Sequence, residues 1–220
     1  MKLNSYIDHT LLKPTATKNE IIKLCNEAIT YDFFAVCVNG CYVALANELL
    51  SDSSVKVCSV IGFPLGAMAT EAKVFEAKNA IAQGADEIDM VINLGALKNK
   101  HYDFVFDDIN QVKKAIGDHT LKVILEISEL SYDEISKASS ICVDAKADFV
   151  KTSTGFSSGG ASIEAINIMK KAINGKAKMK ASGGIRDYDT AKTYIDLGVD
   201  RLGVSSGIAI MNGTKSNSNY

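Results

Sequence analysis

This 220-residue chain has no long hydrophobic run. No segment approaches the roughly 18 consecutive apolar residues of a membrane-crossing helix, and the first residues carry no apolar leader core. It has no basic stripe either. The most basic stretch, residues 170–180, is interrupted by apolar residues, and 24 basic against 26 acidic side chains leave a net charge of −2. That is no electrostatic footprint for nucleic acid. The five cysteines (Cys25, Cys37, Cys41, Cys58 and Cys142) are odd in number and scattered through apolar runs, which argues for reduced thiols rather than a disulfide framework. Cys37 and Cys41 have no second Cys or His pair to complete a zinc site, and His9, His101 and His119 lack the spacing of metal ligands. These absences predict a cytoplasmic protein with no metal, no nucleic-acid partner and no membrane partner.

What is present is a regular alternation. With 47% hydrophobic and 23% charged residues, the chain has the composition of one ordinary globular domain. Short β-branched runs at 6–10, 34–38, 55–61, 87–93, 121–127, 149–153, 178–182 and 201–204 read as strands. Between them, 17–31, 40–50, 70–83, 103–116, 131–146, 162–173, 187–197 and the short 206–211 read as helices. Thr17 with Glu20, and Ser131 with Glu134, have capping-box spacing. Gly84, Gly117 and Gly198 stand where helices should stop. Residues 83–87, 146–149 and 197–201 repeat one pattern of helix end, small residues, Asp and strand; the Asp is read as turn punctuation.

Strands alternating with helices imply parallel pairing through crossovers. Eight such units predict an α/β fold, a single-domain (β/α)8 TIM barrel over residues 1–211. A doubly wound open sheet is the alternative, but the turn after the first strand, residues 10–15, lacks the glycines that fold uses for its ligand. Residues 212–220 form a polar, aperiodic tail expected to be mobile, ending in Tyr220.

In a barrel the chemistry sits at the C-terminal strand ends. Period two places Asp89 inward on the fourth strand, with Ile88, Met90 and Ile92 facing the helices. It likewise turns Lys151 inward on the sixth strand and Lys180 on the seventh, and puts Glu126 on one face with Ile124 and Ser128. A barrel is more simply filled with Val, Ile and Leu, so these charges point to function; a buried salt-bridge network is the plain alternative. A lysine with pKa about 10.4 is a free amine only about 0.04% of the time at pH 7, and moving it to about 7.5 takes roughly 4 kcal/mol. A second ammonium about 4–5 Å away supplies roughly 3–4 kcal/mol at an effective dielectric near 20. Lys180 is thus sufficient to make Lys151 a nucleophile for carbonyl carbon. Asp89 would oppose this if paired with Lys151, so it is expected on Lys180 or on a water that shuttles protons.

The loops after the last two strands carry Ser182-Gly183-Gly184-Ile185-Arg186 and Gly203-Val204-Ser205-Ser206-Gly207. Backbone N–H groups there, with Arg186 and the serine hydroxyls, suit a phosphate, and Thr154-Gly155 after the sixth strand can complete the cradle. Tight turns alone would also use such glycines. Cys37 reads as a small hydrophobe near the site. Asp8, on the first strand with Thr10, suits either a substrate hydroxyl or strand locking.

At Asp8-His9-Thr10-Leu11-Leu12, 35–38, 62–66, 84–91, 121–126, 147–156, 180–186 and 203–206, the chain closely resembles the deoxyribose-phosphate aldolases, class I aldolases with a barrel fold. The resemblance spans nearly the whole chain. It implies that Lys151 forms the Schiff base, that Lys180 lowers its pKa and that Asp89 donates and accepts protons. It also implies that the glycine and serine loops hold a substrate phosphate and that a C-terminal tyrosine, Tyr220 here, assists proton transfer. One departure is Phe156, where some members carry a basic residue that helps bind phosphate. The implied reaction is reversible retro-aldol cleavage of 2-deoxy-D-ribose 5-phosphate to D-glyceraldehyde 3-phosphate and acetaldehyde. It needs no metal or organic cofactor. The implied partners are small phosphosugars and aldehydes, with a homodimer as the candidate assembly. Another Schiff-base sugar-phosphate aldolase, a transaldolase and a silent phosphosugar-binding barrel are the alternatives.

Overall fold

The computed structural model describes residues 2–216. Among them, eight parallel strands close into one barrel in sequence order. They are β1 (Ile7–Leu11), β2 (Ala35–Asn39), β3 (Lys56–Ile61), β4 (Glu87–Val91), β5 (Thr120–Ile124), β6 (Phe149–Lys151), β7 (Lys178–Ser182) and β8 (Arg201–Val204). The helices are α1 (Lys18–Tyr31), α2 (Val43–Leu50), α3 (Thr70–Ala82), α4 (Leu94–Lys98), α5 (Tyr102–Ile116), α6 (Tyr132–Asp144), α7 (Ile163–Ile173), α8 (Tyr188–Asp196) and α9 (Gly207–Met211). β8 pairs with β1 through Ile7↔Leu202 and Asp8↔Gly203, so the sheet has no edge. No helix among the described residues is long and apolar enough to cross a membrane.

Local chemistry sets these boundaries. Both capping boxes form: Thr17 accepts from the Glu20 N–H and Ser131 from the Glu134 N–H, with each glutamate returning a bond to the cap backbone. Each box satisfies helix-end donors that have no intrahelical partner. The three aspartates of the repeated turn act alike. Asp86 accepts from the Val57 N–H at 2.9 Å, Asp148 from Leu121 at 2.8 Å and Asp200 from Met179 at 2.9 Å. Each therefore ties the start of one strand to the preceding one, which is a physical reason for the repeat.

The barrel wall separates two apolar regions. The large core lies between strands and helices and takes Val36, Ile61, Ile88, Met90, Ile92, Val123, Val150, Met179 and Leu202. The smaller cluster, Leu12, Cys37, Cys58 and Val60 with Phe63 against it, lies inside the barrel. Buried Ala35, Val91, Ile124 and Phe149 share strand faces with the interior charges, so the interior mixes apolar and charged side chains while the larger core lies under the helical shell.

Three strands are shorter than their apolar runs predict. β4 ends at Val91, β5 at Ile124 and β6 at Lys151. After β4, Asn93 caps an extra helix, α4, by accepting from the Ala96 N–H at 2.9 Å. After β5, Glu126 takes φ +56°, which breaks the period-two alternation expected through Ser128.

Candidate active site

Register brings the charged residues together. Asp89 lies opposite Lys122, and Lys151 opposite Lys180, while Lys180 pairs with Arg201 on the next strand. The fully buried Asp89 is the hub. Its Oδ1 accepts from Lys122 Nζ at 2.8 Å and Cys58 Sγ at 3.1 Å. Its Oδ2 accepts from both Lys151 Nζ and Lys180 Nζ, each at 2.8 Å. The two amines are therefore no more than twice 2.8 Å apart. The expectation that Asp89 would avoid Lys151 is corrected: adjacent register positions bring both ammoniums to one carboxylate oxygen.

A second tier lies below. Lys180 Nζ is 2.5 Å from Asp8 Oδ2, and Lys122 Nζ is 2.6 Å from Glu87 Oε2. Arg201 donates through Nε to Asp8 at 2.7 Å and through Nη2 to Glu87 at 2.9 Å, with its guanidinium 3.4 Å from the centre of the Phe34 ring. The buried set thus holds four cationic side chains (Lys122, Lys151, Lys180 and Arg201) against three carboxylates (Asp8, Glu87 and Asp89).

The electrostatics follow from this crowding. Burial alone would raise the Asp89 pKa, but Lys122, Lys151 and Lys180 together hold it well below the usual carboxylate range. For Asp8 burial is again outweighed, here by Arg201, Lys180 and Lys122, and the pKa falls to about 2. Burial opposes the charge on Lys180, yet Asp8 and Asp89 raise its pKa above the ordinary lysine value. Lys122 is raised likewise by Asp89, Cys58 and Glu87 against its burial. Lys180 and Lys122 are therefore fixed positive charges. The neighbouring Cys58 side chain draws the Cys37 thiol down against burial, with help from Lys180, while burial pushes Cys58 well up.

Of the four cations, Lys151 alone lines the open cleft at the top of the barrel. Its walls come from Thr10 and Leu12, from Thr154, Gly155 and Phe156, from the 182–186 loop and from the 203–205 loop. Gly183 (φ +85°) cannot be replaced cheaply, because a Cβ there would lie 2.8 Å from Gly160 Cα. That contact docks the loop after β6 on the loop after β7, where the Ala161 N–H donates to the Ser182 and Gly183 carbonyls at 3.0 and 3.1 Å. The amides of Gly155 and Gly184 donate to nothing among the described residues. Unpaired N–H groups on cleft-lining residues suit an oxyanion, and Arg186 adds charge to the same cleft. With α9 only five residues long, the loops rather than a helix dipole form this end.

Thr10, Thr154, Gly155, Gly183, Gly184, Arg186, Gly203 and Ser205 thus share one cleft with Lys151. Asp8 lies beneath it, committed to Arg201 and Lys180. Cys37 is sealed inside the barrel. Ser206 is buried and faces a neighbouring groove lined by His9, Leu24 and Ala209. Tyr220 is outside the described residues. The Cys37, Cys58 and Asp89 donor atoms lie within 4.8 Å of one another, a spacing that suits a cation. The Lys122 ammonium already sits 3.3 Å from Cys58 Sγ and 2.8 Å from Asp89, so that anionic charge is already neutralised.

Sequence reasoning missed Lys122, Glu87 and Arg201. The alternation that puts Glu126 on one face with Ile124 and Ser128 also runs through Lys122, and following it back to the strand's start would have found this lysine.

Comparison with known proteins gives a consistent result. A family model described as DeoC/LacD family aldolase matches residues 3–212. The deoxyribose-phosphate aldolase of Mycoplasma capricolum is 56% identical over 220 residues, covering 100% of this chain and 99% of that protein. The Finegoldia magna deoxyribose-phosphate aldolase is 56% identical over 213 residues, covering 97% of this chain and all of that one. Among solved structures, the deoxyribose phosphate aldolase of Aeropyrum pernix, described as tetrameric, superimposes with a TM-score of 0.87 at 32% identity, over 96% of this chain and 89% of that one.

Proposed function

The chain belongs to the DeoC/LacD aldolase family, and from that premise we propose that Lys151 carries its reaction as a Schiff-base lysine. The reaction is the reversible retro-aldol cleavage of 2-deoxy-D-ribose 5-phosphate to D-glyceraldehyde 3-phosphate and acetaldehyde. The observation that carries the assignment is one carboxylate oxygen, Asp89 Oδ2, at 2.8 Å from both Lys151 and Lys180 Nζ, with Lys151 alone opening to the cleft.

Each step has a group in place. The Lys151 amine, having passed its proton to a water, attacks C1 of the open-chain aldehyde to give a carbinolamine. A water held by Asp89 returns the proton to the departing hydroxide, water leaves, and a protonated imine forms. A water-relayed base takes the C3 hydroxyl proton; the C2–C3 bond breaks, and its electrons enter the iminium to give an enamine. D-Glyceraldehyde 3-phosphate departs. The enamine gains a proton at C2, a step in which Tyr220 is the candidate donor, and water releases acetaldehyde and regenerates Lys151. Lys180 stays an ammonium on the same Asp89 oxygen throughout. The imine itself is the electron sink. The substrate phosphate is assigned to Gly155, the 183–186 loop and Ser205.

We place the protein in the cytoplasm, on the support of its five free cysteines, four of them buried. We also propose a homodimer, supported by the exposed Phe75 on α3 and Phe104 on the adjoining α5. The activity is tested by coupling release of D-glyceraldehyde 3-phosphate to a dehydrogenase. Wild-type enzyme should turn over 2-deoxy-D-ribose 5-phosphate in the presence of EDTA, and Lys151→Leu should not. Undiminished turnover by Lys151→Leu would remove the Schiff-base assignment.

A further inference from the structure

Glu126 is buried at the end of β5, yet it does not line the cleft. Its backbone sits at φ +56°, ψ +65°, a left-handed conformation that residues with a side chain rarely hold without a reason. Its carboxylate makes two contacts with one residue across the strand gap. Oε1 accepts from the Thr154 N–H at 3.2 Å, and Oε2 accepts from the Thr154 hydroxyl. The same hydroxyl oxygen then accepts from the Phe156 N–H at 2.9 Å. One carboxylate therefore ties down Thr154 and, through it, Phe156, with Gly155 between them lining the cleft. Phe156 is held from its far side as well, its ring edge-on to Phe63 with centroids 5.2 Å apart at 86°.

The loop so clamped forms one wall of the cleft that Gly183, Gly184 and Ser205 also line. An anion held by both needs them at the right separation, because hydrogen bonds weaken steeply with misplacement. Resting on the phosphate assignment above, we propose that Glu126 is a positioning residue that fixes the 154–156 wall and thereby sets the preference for phosphorylated over unphosphorylated substrate. It touches neither the substrate nor Lys151.

The test compares kcat and KM for 2-deoxy-D-ribose 5-phosphate and for 2-deoxy-D-ribose in wild type and in Glu126→Gln. The amide keeps the shape but loses the charge, and one of its two ends donates where both carboxylate oxygens accept. KM for the phosphorylated sugar should rise about tenfold, the loss expected for one charge-assisted hydrogen bond, with kcat changed less than about twofold. The ratio of kcat/KM between the two sugars should fall by the same factor. An equal fall for both sugars, or an unchanged ratio, would overturn the proposal. Should Glu126→Gln not fold, the Thr154 hydroxyl gives a second route: Thr154→Val should reproduce the drop in the ratio and Thr154→Ser should not. If wild-type enzyme shows no preference for the phosphorylated sugar, the phosphate assignment itself fails. A wild-type preference that survives in Glu126→Gln and Thr154→Val overturns only the role of Glu126.

Discussion

Lys122 and Asp89 share one 2.8 Å contact, and a purely pairwise account assigns the loss of either residue the same cost. The charge count says otherwise. Four buried cations face three carboxylates. Lys122→Met leaves three against three, and Glu87 keeps Arg201 while Asp89 keeps Lys151 and Lys180. Asp89→Asn leaves four cations against two carboxylates and strips three ammoniums of a shared partner. Removing one member of a buried pair costs about 3–5 kcal/mol. Lys122→Met should fall near about 3 kcal/mol and Asp89→Asn at or above about 5 kcal/mol. For a chain of this size those losses lower Tm by roughly 6–12 °C and 10–20 °C respectively. Differential scanning calorimetry on the two variants at neutral pH reads the difference directly. If Lys122→Met is as destabilising as Asp89→Asn, or more so, the interior is not held by the charge balance described above.

Lys180→Leu removes the fixed ammonium that shares Asp89 Oδ2 with Lys151. It should slow reductive trapping of an aldehyde on Lys151 about 100-fold at neutral pH; an unchanged rate would refute the tuning role of Lys180. Acid should act through Asp8. Its folded pKa of about 2 is below the unfolded value near 3.8, so its contribution is fully present above pH 4 and is lost as pH falls towards 2. That contribution is about 2 kcal/mol, and Asp89 adds to the same slope. Urea midpoints that stay flat between pH 4 and pH 2 would contradict it.

The barrel is legible in the sequence because its periodicities are local. Thr17 with Glu20, Ser131 with Glu134 and the three turn aspartates each act within a short reach of chain or on the neighbouring strand. Alternation along β4 separated Asp89 from Ile88 and Met90, which the structure divides between interior and core. The lower tier was hidden because its logic is non-local: Asp8 and Arg201 are 193 positions apart, and Glu87 and Arg201 are 114 apart. Each of these residues stands at or beside a strand's start, where a charge is ordinary in sequence. Glu126 was misplaced for a different reason. A period-two reading assumes that extended backbone continues, and the chain leaves it at the residue that holds the next loop.

The account rests on Lys151 being the amine that meets the substrate carbonyl. Borohydride reduction in the presence of acetaldehyde, followed by peptide mass mapping, tests this with the native chain. The predicted result is one two-carbon adduct, on the peptide containing Lys151, and none on those containing Lys122 or Lys180. An adduct on either of those lysines, or none at all in active enzyme, would contradict it.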